Sequence, residues 1–268
     1  MLKIGVFDSG LGGLTVVQSL AKYVKGAQIF YIADTKNAPY GEKTSQQILQ
    51  FSLDIAAYFI QKHHIDALIV ACNTATSAAI QTLRERYPQL IIIGTEPGVK
   101  PAIEQTLTGK IGVLATPATL KGEKYQQLAS VLATEKDVTL YEQACPGLVE
   151  QIEKGEIDTP KTKKMLEQWL KPMRENDVDS IVLGCTHYPL VGNVIESIMQ
   201  REINLIHTGD AIARHLLYLA HKKGHENKGK LDIMLYYTED INQTIVRMLL
   251  KNITKIDAIE IGKQKTKG

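Results

Sequence analysis

Short apolar runs alternate with amphipathic stretches along almost the whole chain. The apolar runs are of strand length and mostly β-branched, and they cover residues 4–7, 29–32, 67–71, 90–93, 111–114, 138–141, 181–183, 204–206 and 233–236. Between them lie stretches with helical periodicity, for example residues 45–63, 74–87, 160–175 and 189–200. Such alternation predicts an α/β fold with mainly parallel sheets flanked by helices.

Two of the predicted helices begin with recognisable capping residues. Thr44 is followed three residues later by Gln47, the spacing of a capping box. Thr159 precedes Pro160, which places an N-cap hydroxyl before a proline at the first helical position. These signals fix the start of two helices.

An internal repeat relates the two halves of the chain. Asp66 and Cys72 flank a buried run, and Asp179 and Cys185 flank another, 113 positions further on. Thr95 and Thr208 close two later runs at the same offset. The repeat predicts two similar, pseudo-symmetric α/β domains, with the active site in the cleft between them. We expect residues 1–97 plus 207–268 in the first domain and residues 98–206 in the second.

Composition and charge narrow the class of protein. The 268 residues are 44% hydrophobic and 22% charged, with a formal net charge of +2, which is typical of a globular protein and favours neither nucleic acid nor an anionic membrane as partner. The start of the chain does not resemble an export signal, and the apolar runs are far shorter than the roughly 20 residues that span a bilayer. We expect a cytoplasmic protein without membrane contact, and we interpret Lys263, Lys265 and Lys267 as a solvated tail.

The three cysteines, Cys72, Cys145 and Cys185, are too few and too dispersed for a disulfide framework. Cys72 and Cys185 each follow a predicted strand and precede a helix, so both should lie where parallel α/β sheets bind ligands. Two equivalent thiols can address opposite faces of one carbon, as inversion of a C–H centre requires. This pattern predicts a racemase or epimerase, and we expect Cys145 to be structural.

Other chemistries fit the sequence less well. A zinc site would need about four ligands, usually with a close cysteine pair that is missing here, so we predict no metal. Disulfide exchange lacks its C-x-x-C motif. The glycine-rich loop of residues 8–13 is not the dinucleotide fingerprint. It could anchor a substrate, with Asp8 accepting from an ammonium, tuning a thiol or capping a helix. Thr116 and Thr119 could cap a helix or contact substrate.

Five short motifs, in this order and spacing, resemble the glutamate racemase family over essentially the whole chain. They are Asp8-Ser9-Gly10, Pro39-Tyr40-Gly41, Cys72-Asn73-Thr74, Thr116 with Thr119, and Cys185-Thr186-His187. The resemblance implies a cofactor-independent 1,1-proton transfer between L-glutamate and D-glutamate, which supplies D-glutamate for peptidoglycan synthesis. It also implies a homodimer and no cofactor.

The resemblance assigns a role to individual residues. Cys72 would deprotonate D-glutamate and Cys185 L-glutamate, with Asp8 and His187 assisting the respective thiols. Glu153 matches an auxiliary carboxylate near the second thiol, although Glu150 lies one helical turn away. The remaining matches are to substrate-binding positions: Asp8, Ser9, Pro39, Tyr40, Gly41, Asn73, Thr74, Thr116, Thr119, Thr186 and His187.

Two features differ from the family pattern. His207-Thr208-Gly209 stands where many relatives have Asp-Ser-Gly, and the chain starts without the extension of relatives that a cell-wall precursor activates. We therefore expect no such activation. An aspartate or hydantoin racemase of the same superfamily, or a non-catalytic binding relative, is the alternative interpretation.

Overall fold

The computed structural model describes residues 1–136, 138–251 and 258–263. Its strands are β1 Leu2–Asp8, β2 Ala27–Ala33, β3 Ala67–Val70, β4 Ile91–Gly94, β5 Lys110–Ala115, β6 Thr139–Ala144, β7 Ser180–Gly184, β8 Asn204–Ile206, β9 Leu231–Tyr237 and β10 Ala258–Lys263. Its helices are α1 Leu14–Tyr23, α2 Ser45–His63, α3 Asn73–Arg86, α4 Val99–Gln105, α5 Pro117–Lys121, α6 Glu123–Lys136, α7 Leu148–Glu153, α8 Pro160–Glu175, α9 Gly192–Met199, α10 Gly209–Lys222 and α11 Gln243–Lys251. Three 3₁₀ turns cover Thr35–Asn37, Tyr40–Glu42 and Tyr188–Val191.

The strands form two parallel sheets. The first has the order β10-β9-β2-β1-β3-β4 and the second β6-β5-β7-β8. The four strands β2-β1-β3-β4 thus repeat the order of β6-β5-β7-β8, as the internal sequence repeat leads one to expect. The predicted α/β fold with parallel sheets and flanking helices is confirmed.

The chain divides into two compact units. The first unit comprises Met1–Thr95 and Gly209–Gly268, and the second Glu96–Thr208. The two repeated aspartates, Asp66 and Asp179, each lie directly before a central strand and accept hydrogen bonds from backbone N–H groups. The Asp66 carboxylate accepts from the Lys3 N–H at 2.8 Å, and that of Asp179 accepts from the N–H groups of Leu107 and Thr108 at 2.7 Å and 2.8 Å.

Each unit has a hydrophobic core built from both faces of its sheet. Phe7, Phe59 and Leu68 are fully buried in the first unit, whereas Leu114, Ile181 and Tyr188 are fully buried in the second. The near-continuous apolar strands follow from burial on both faces, which parallel sheets covered by helices impose. These cores hold the carboxyl ends of the strands in fixed positions.

The last part of the chain packs onto the first unit. β9 pairs in parallel with β2, from Leu231 opposite Ala27 to Tyr237 opposite Ala33. At the first turn of α10, the Asp210 carboxylate accepts from Lys22 Nζ at 2.9 Å and from the Tyr23 hydroxyl at 2.7 Å. The C-terminal residues therefore enlarge the first sheet.

Beyond shifts of a few residues at strand ends, two differences between predicted and observed elements stand out. The helix predicted to begin at Pro189 begins at Gly192, because the chain first makes a 3₁₀ turn in which the Leu190 N–H donates to the His187 carbonyl. Strand β10 had no counterpart in the predicted elements. Residues 265 and 267, two of the three lysines of the expected tail, lie outside the described residues. In the part of the chain that the structure describes, no helix combines the length and apolar character needed to cross a membrane.

Candidate active site

Cys72 lies directly after β3 and caps the next helix. Its sulfur accepts a hydrogen bond from the Ala75 N–H at 3.5 Å, and it lies 3.9 Å from the Ser9 hydroxyl oxygen. The thiol is 6% exposed, with Asn73 and Thr74 buried beside it in the first turn of α3. Unpaired N–H groups and the dipole at a helix N-terminus stabilise a thiolate, so this position suits a sulfur base.

Asp8 ends β1 and organises the glycine-rich loop that follows. Its Oδ2 atom accepts from the N–H groups of Gly10 and Gly13, both at 3.1 Å, and the residue is fully buried. The cap of α1 is Gly13, not Asp8. Two of the loop amides that could approach an anion therefore bind the Asp8 carboxylate.

Tyr40 lies in a turn after the cis Ala38–Pro39 peptide bond and is almost fully buried, and Gly41 follows it in the same 3₁₀ turn. Its hydroxyl donates to Asp34 Oδ2 at 2.6 Å. Burial first, and then the neighbouring carboxylate of Asp34, raise the pKa of the Tyr40 phenol well above its usual value, and Cys72 and Asp8 add to this effect. Tyr40 is therefore protonated and acts as a donor to Asp34.

Cys185 follows β7 in the second unit, at the position equivalent to Cys72. Its sulfur lies 3.7 Å from His187 Nδ1, and His187 Nε2 lies 2.6 Å from Glu153 Oε1 on α7. Burial lowers the pKa of His187, but hydrogen bonds to the Cys185 sulfur and the Glu153 carboxylate outweigh it and raise that pKa well above its usual value. The three side chains form a relay in which the imidazole can hold a proton beside the sulfur.

The carboxylate at the end of this relay is Glu153. Glu150, one turn earlier on α7, has a buried Oε2 atom without a hydrogen-bond partner among the described residues. Its charge contributes to the raised pKa of Tyr188, after burial, Cys185 and Cys145. Of the two glutamates, Glu153 is the one in hydrogen-bond contact with His187.

Three threonines predicted for the site, Thr116, Thr119 and Thr186, lie shortly after strands of the second unit. The Thr116 side chain caps α5 by accepting from the Thr119 N–H at 3.2 Å, and the two hydroxyl oxygens are 2.9 Å apart. Thr186, between Cys185 and His187, has its hydroxyl 3.5 Å from His187 Nδ1. Thr116 directly follows β5 and Thr119 lies in the first turn of α5, whereas Asp8 is the last residue of β1 and Ser9 follows it.

Cys145 lies at the end of β6 and is 2% exposed. Its thiol is 3.5 Å from the Gln143 carbonyl oxygen, and the Tyr188 hydroxyl donates to the Cys145 carbonyl at 3.4 Å. Burial, with a smaller effect from Cys185, raises the pKa of Cys145 far above that of a free thiol. A protonated, enclosed thiol of this kind is a poor acid/base.

Sequence reasoning missed two residues that contact the candidate site. Asp34 directly follows the apolar strand β2, and Asp8 is the last residue of β1, so an acid at the end of an apolar run was the available signal. Thr238 has no such signal, because only the pairing of β9 with β2 brings it to Asp34. In residues 1–136, 138–251 and 258–263, no group of three or more histidine, cysteine or acidic side chains has a metal-binding arrangement.

Comparison with known proteins identifies the family of the chain. A family model described as Asp/Glu/Hydantoin racemase matches residues 4–216. The chain therefore belongs to the Asp/Glu/hydantoin racemase family, whose members are isomerases. It is 69% identical over 249 residues to a glutamate racemase of Sulfurovum, covering 93% of this chain and 94% of the relative.

Two further relatives point to the same member of the family. The chain is 59% identical to a glutamate racemase of Aliarcobacter butzleri, covering 94% of this chain and 96% of the relative. It superposes on the crystal structure of the glutamate racemase isoform RacE1 of Bacillus anthracis with a TM-score of 0.84 and 29% identity, covering 98% and 97% of the two chains. The resemblance to glutamate racemase is confirmed.

Proposed function

We propose that this chain interconverts L-glutamate and D-glutamate, with Cys72 and Cys185 as its two acid/bases. The observation that carries the proposal is the equivalence of the two thiols. Each follows the same strand of the repeated four-strand order, β3 in one unit and β7 in the other. Each thiol also has its own polar neighbours, which are Ser9 and the Ala75 N–H for Cys72, and His187 for Cys185.

The reaction needs one proton to leave and one to arrive. With D-glutamate, the Cys72 thiolate takes the α-proton, the electron pair passes into the α-carboxylate, and the Cys185 thiol returns a proton to the opposite face. With L-glutamate the two thiols exchange these tasks. Each turnover leaves the other thiol ionised, so exchange with solvent resets the pair.

The assisting groups follow from the contacts of each thiol. His187, held by Glu153, stabilises the Cys185 thiolate when protonated and takes part in its proton exchange. The Ala75 N–H and the N-terminus of α3 stabilise the Cys72 thiolate. We assign Asp8 as the group that assists Cys72. The substrate is held by Ser9, Pro39, Tyr40, Gly41, Asn73, Thr74, Thr116, Thr119, Thr186 and His187.

Deuterium exchange at the α-carbon in D₂O tests the two-thiol assignment. The wild type racemises both enantiomers and incorporates deuterium at the α-carbon. Cys185→Ala should lose racemisation but still exchange the α-proton of D-glutamate with retention, whereas Cys72→Ala should exchange only L-glutamate. Racemisation by either single variant, or exchange of the opposite enantiomer, contradicts the assignment. Faster turnover of aspartate or a hydantoin than of glutamate would contradict the substrate.

The proposal extends to the use of the product and the location of the enzyme. D-glutamate supplies peptidoglycan synthesis, and we place the enzyme in the cytoplasm as a homodimer without cofactor. Cys72, Cys145 and Cys185 are buried and form no disulfide in the described part of the chain, which supports a reducing compartment. Light scattering of the purified chain at several concentrations measures the oligomeric state, and a mass that stays at one chain contradicts the dimer.

A further inference from the structure

Asp34 is a buried carboxylate that contacts the candidate substrate loop but belongs to none of the site motifs. It is 3% exposed. Its Oδ2 atom accepts from the Tyr40 hydroxyl at 2.6 Å, its Oδ1 atom accepts from the Thr238 hydroxyl at 3.0 Å, and Asn37 Nδ2 lies 3.1 Å and 3.0 Å from the two oxygens. All three donors are neutral.

Thr238, directly after β9, connects the Asp34 carboxylate to a segment late in the chain. Its hydroxyl accepts from the Lys36 N–H at 3.0 Å while it donates to Asp34 Oδ1. Because the N–H must donate, the hydroxyl proton is free to point at the carboxylate. The Asp34 N–H in turn donates to the Asp8 carbonyl at 2.9 Å. The ends of β1, β2 and β9 therefore meet at one residue, Asp34, which contacts β1 through its backbone and Thr238 through its side chain.

Donors on both oxygens fix the rotation of the Asp34 carboxylate. A buried carboxylate is costly unless its lone pairs are satisfied, so loss of one donor makes the group turn toward another. The Tyr40 hydroxyl is tied to Oδ2, and the Tyr40 ring is buried, so such a turn displaces the segment Pro39–Gly41. Thr238, which directly follows β9, therefore controls the position of the segment Pro39–Gly41, although it lies 204 positions from Asp34 in the chain.

We propose that Asp34 and Thr238 are positioning residues for the racemase reaction, which hold the Tyr40 side chain and with it the substrate-binding segment Pro39–Gly41. This inference rests on the proposed role of Tyr40 in holding substrate. Neither residue touches the reacting carbon; both act through Tyr40. Their loss should weaken substrate binding more than it slows the proton transfers at the two thiols.

The chain offers a matched control for Thr238. The Thr35 hydroxyl donates to the Glu239 carbonyl at 2.8 Å and accepts from the Glu239 N–H at 2.9 Å. Thr35 therefore ties together the same two segments with two hydrogen bonds, but it does not touch the Asp34 carboxylate. Comparison of the two threonines separates control of the carboxylate from simple fastening of the loops.

The test is steady-state kinetics with D-glutamate and L-glutamate. Thr238→Val should raise KM about tenfold or more, the effect of one lost hydrogen bond to a charged group, with a much smaller change in kcat. Thr238→Ser, which keeps the hydroxyl, should have the wild-type KM, and so should Thr35→Val. Asn37→Ala, at a less buried position, should repeat the KM effect if Thr238→Val does not fold. The Tyr40→Phe/Thr238→Val double variant should be no worse than Tyr40→Phe alone.

The outcomes distinguish this inference from the proposed function. An equal KM increase in Thr35→Val and Thr238→Val overturns the inference, as does a double variant whose effects multiply. A Tyr40→Phe variant with wild-type kinetics overturns the substrate role of Tyr40 itself. A wild-type chain without racemisation overturns the proposed function, independently of Thr238.

Discussion

His187 Nε2 and Glu153 Oε1 lie 2.6 Å apart, with the imidazole buried and the carboxylate partly exposed. This contact orients the ring so that Nδ1 faces the Cys185 sulfur at 3.7 Å. The Glu153 carboxylate therefore sets both the position and the protonation of the histidine that contacts Cys185, and it does so from α7, whereas Cys185 follows β7.

Glu153→Gln should lower kcat/KM by about tenfold or more, because the amide cannot stabilise the protonated imidazole. Glu153 raises the pKa of His187, so the limb of the pH profile that reports His187 should move to lower pH. The two enantiomers have equal free energy, hence kcat/KM must fall equally in both directions, whereas kcat alone can differ. Glu150→Gln is the control and should keep the wild-type profile. If only Glu150→Gln shifts the pH profile, the carboxylate of the relay is Glu150 and not Glu153.

Gly13→Ala should inactivate the enzyme by disturbing the loop that holds Asp8. A Cβ atom at Gly13 would lie 2.6 Å from Asp8 Cβ and 2.8 Å from the Tyr31 hydroxyl oxygen, closer than real contacts allow. The backbone itself permits alanine, since φ is −61°. The racemisation rate and the melting temperature of the variant measure the effect. Gly224→Ala is the control for backbone strain without crowding, because a Cβ atom there would meet nothing within 4 Å but φ is +86°. Full activity in Gly13→Ala would mean that the loop can move without cost.

Cys145→Ala should leave kcat/KM unchanged, although the residue lies beside the relay of the second unit. Its thiol is buried, and burial keeps it protonated by raising its pKa. Racemisation kinetics in both directions check this. A loss of activity comparable to that of Cys185→Ala would assign Cys145 a direct part in the reaction.

His63 should make the protein less stable as the pH falls from 6.5 to about 4. Burial, followed by the charges of Lys62, Lys3 and His64, lowers the pKa of His63 to about 4. Between the two values the unfolded chain binds a proton that the folded chain does not, so acid favours unfolding. The ring stacks on Phe30 at a centroid distance of 3.9 Å, and its Nε2 atom has no hydrogen-bond partner in the described part of the chain.

His63→Phe keeps the stacking and removes the titration. The free energy of unfolding, measured by urea denaturation at pH 7.5 and pH 5, should therefore change less with pH in this variant than in the wild type. His215→Phe, at an exposed position of α10, should retain the wild-type difference. An equal difference in the free energy of unfolding between pH 7.5 and pH 5 in all three proteins would show that His63 does not contribute to the pH dependence.

Asp210→Asn should destabilise the protein at neutral pH by no more than about 1 kcal/mol, because the pair with Lys22 is partly exposed. Burial raises the pKa of Asp210, but hydrogen bonds from Lys22, Tyr23 and Ser19 outweigh it and lower the pKa to about 2. The stabilisation is therefore complete above pH 3.8 and is lost as the pH falls toward 2.

Urea denaturation at pH 7 and near pH 2 measures this loss. Wild type and Asp210→Asn should differ at pH 7 and converge near pH 2. Asp177→Asn, which removes an exposed ion pair with Arg201, is the control and should match the wild type at pH 7. A difference that persists at the lower pH would mean that the carboxylate acts through packing and not through its charge.

The sequence alone determined the class of fold and singled out the two thiols that we propose as acid/bases. Apolar runs separated by helical segments encode parallel sheets because each strand must bury both faces, and the ranges 45–63 and 160–175 coincide with α2 and α8, whose caps Thr44 and Thr159 are observed. The repeat around Cys72 and Cys185 is visible in the sequence itself, because it depends only on the spacing of residues along the chain. Both helices begin where a local hydrogen bond between neighbouring residues fixes them.

Only the tertiary structure decided which distant groups meet. Glu153 and Glu150 are equivalent in sequence as auxiliary carboxylates, but the direction of α7 brings Glu153 to His187, 34 positions away. Thr238 reaches Asp34 across 204 positions because β9 pairs with β2. Contacts of this kind depend on how sheets and helices pack, and no local pattern of residues records that packing.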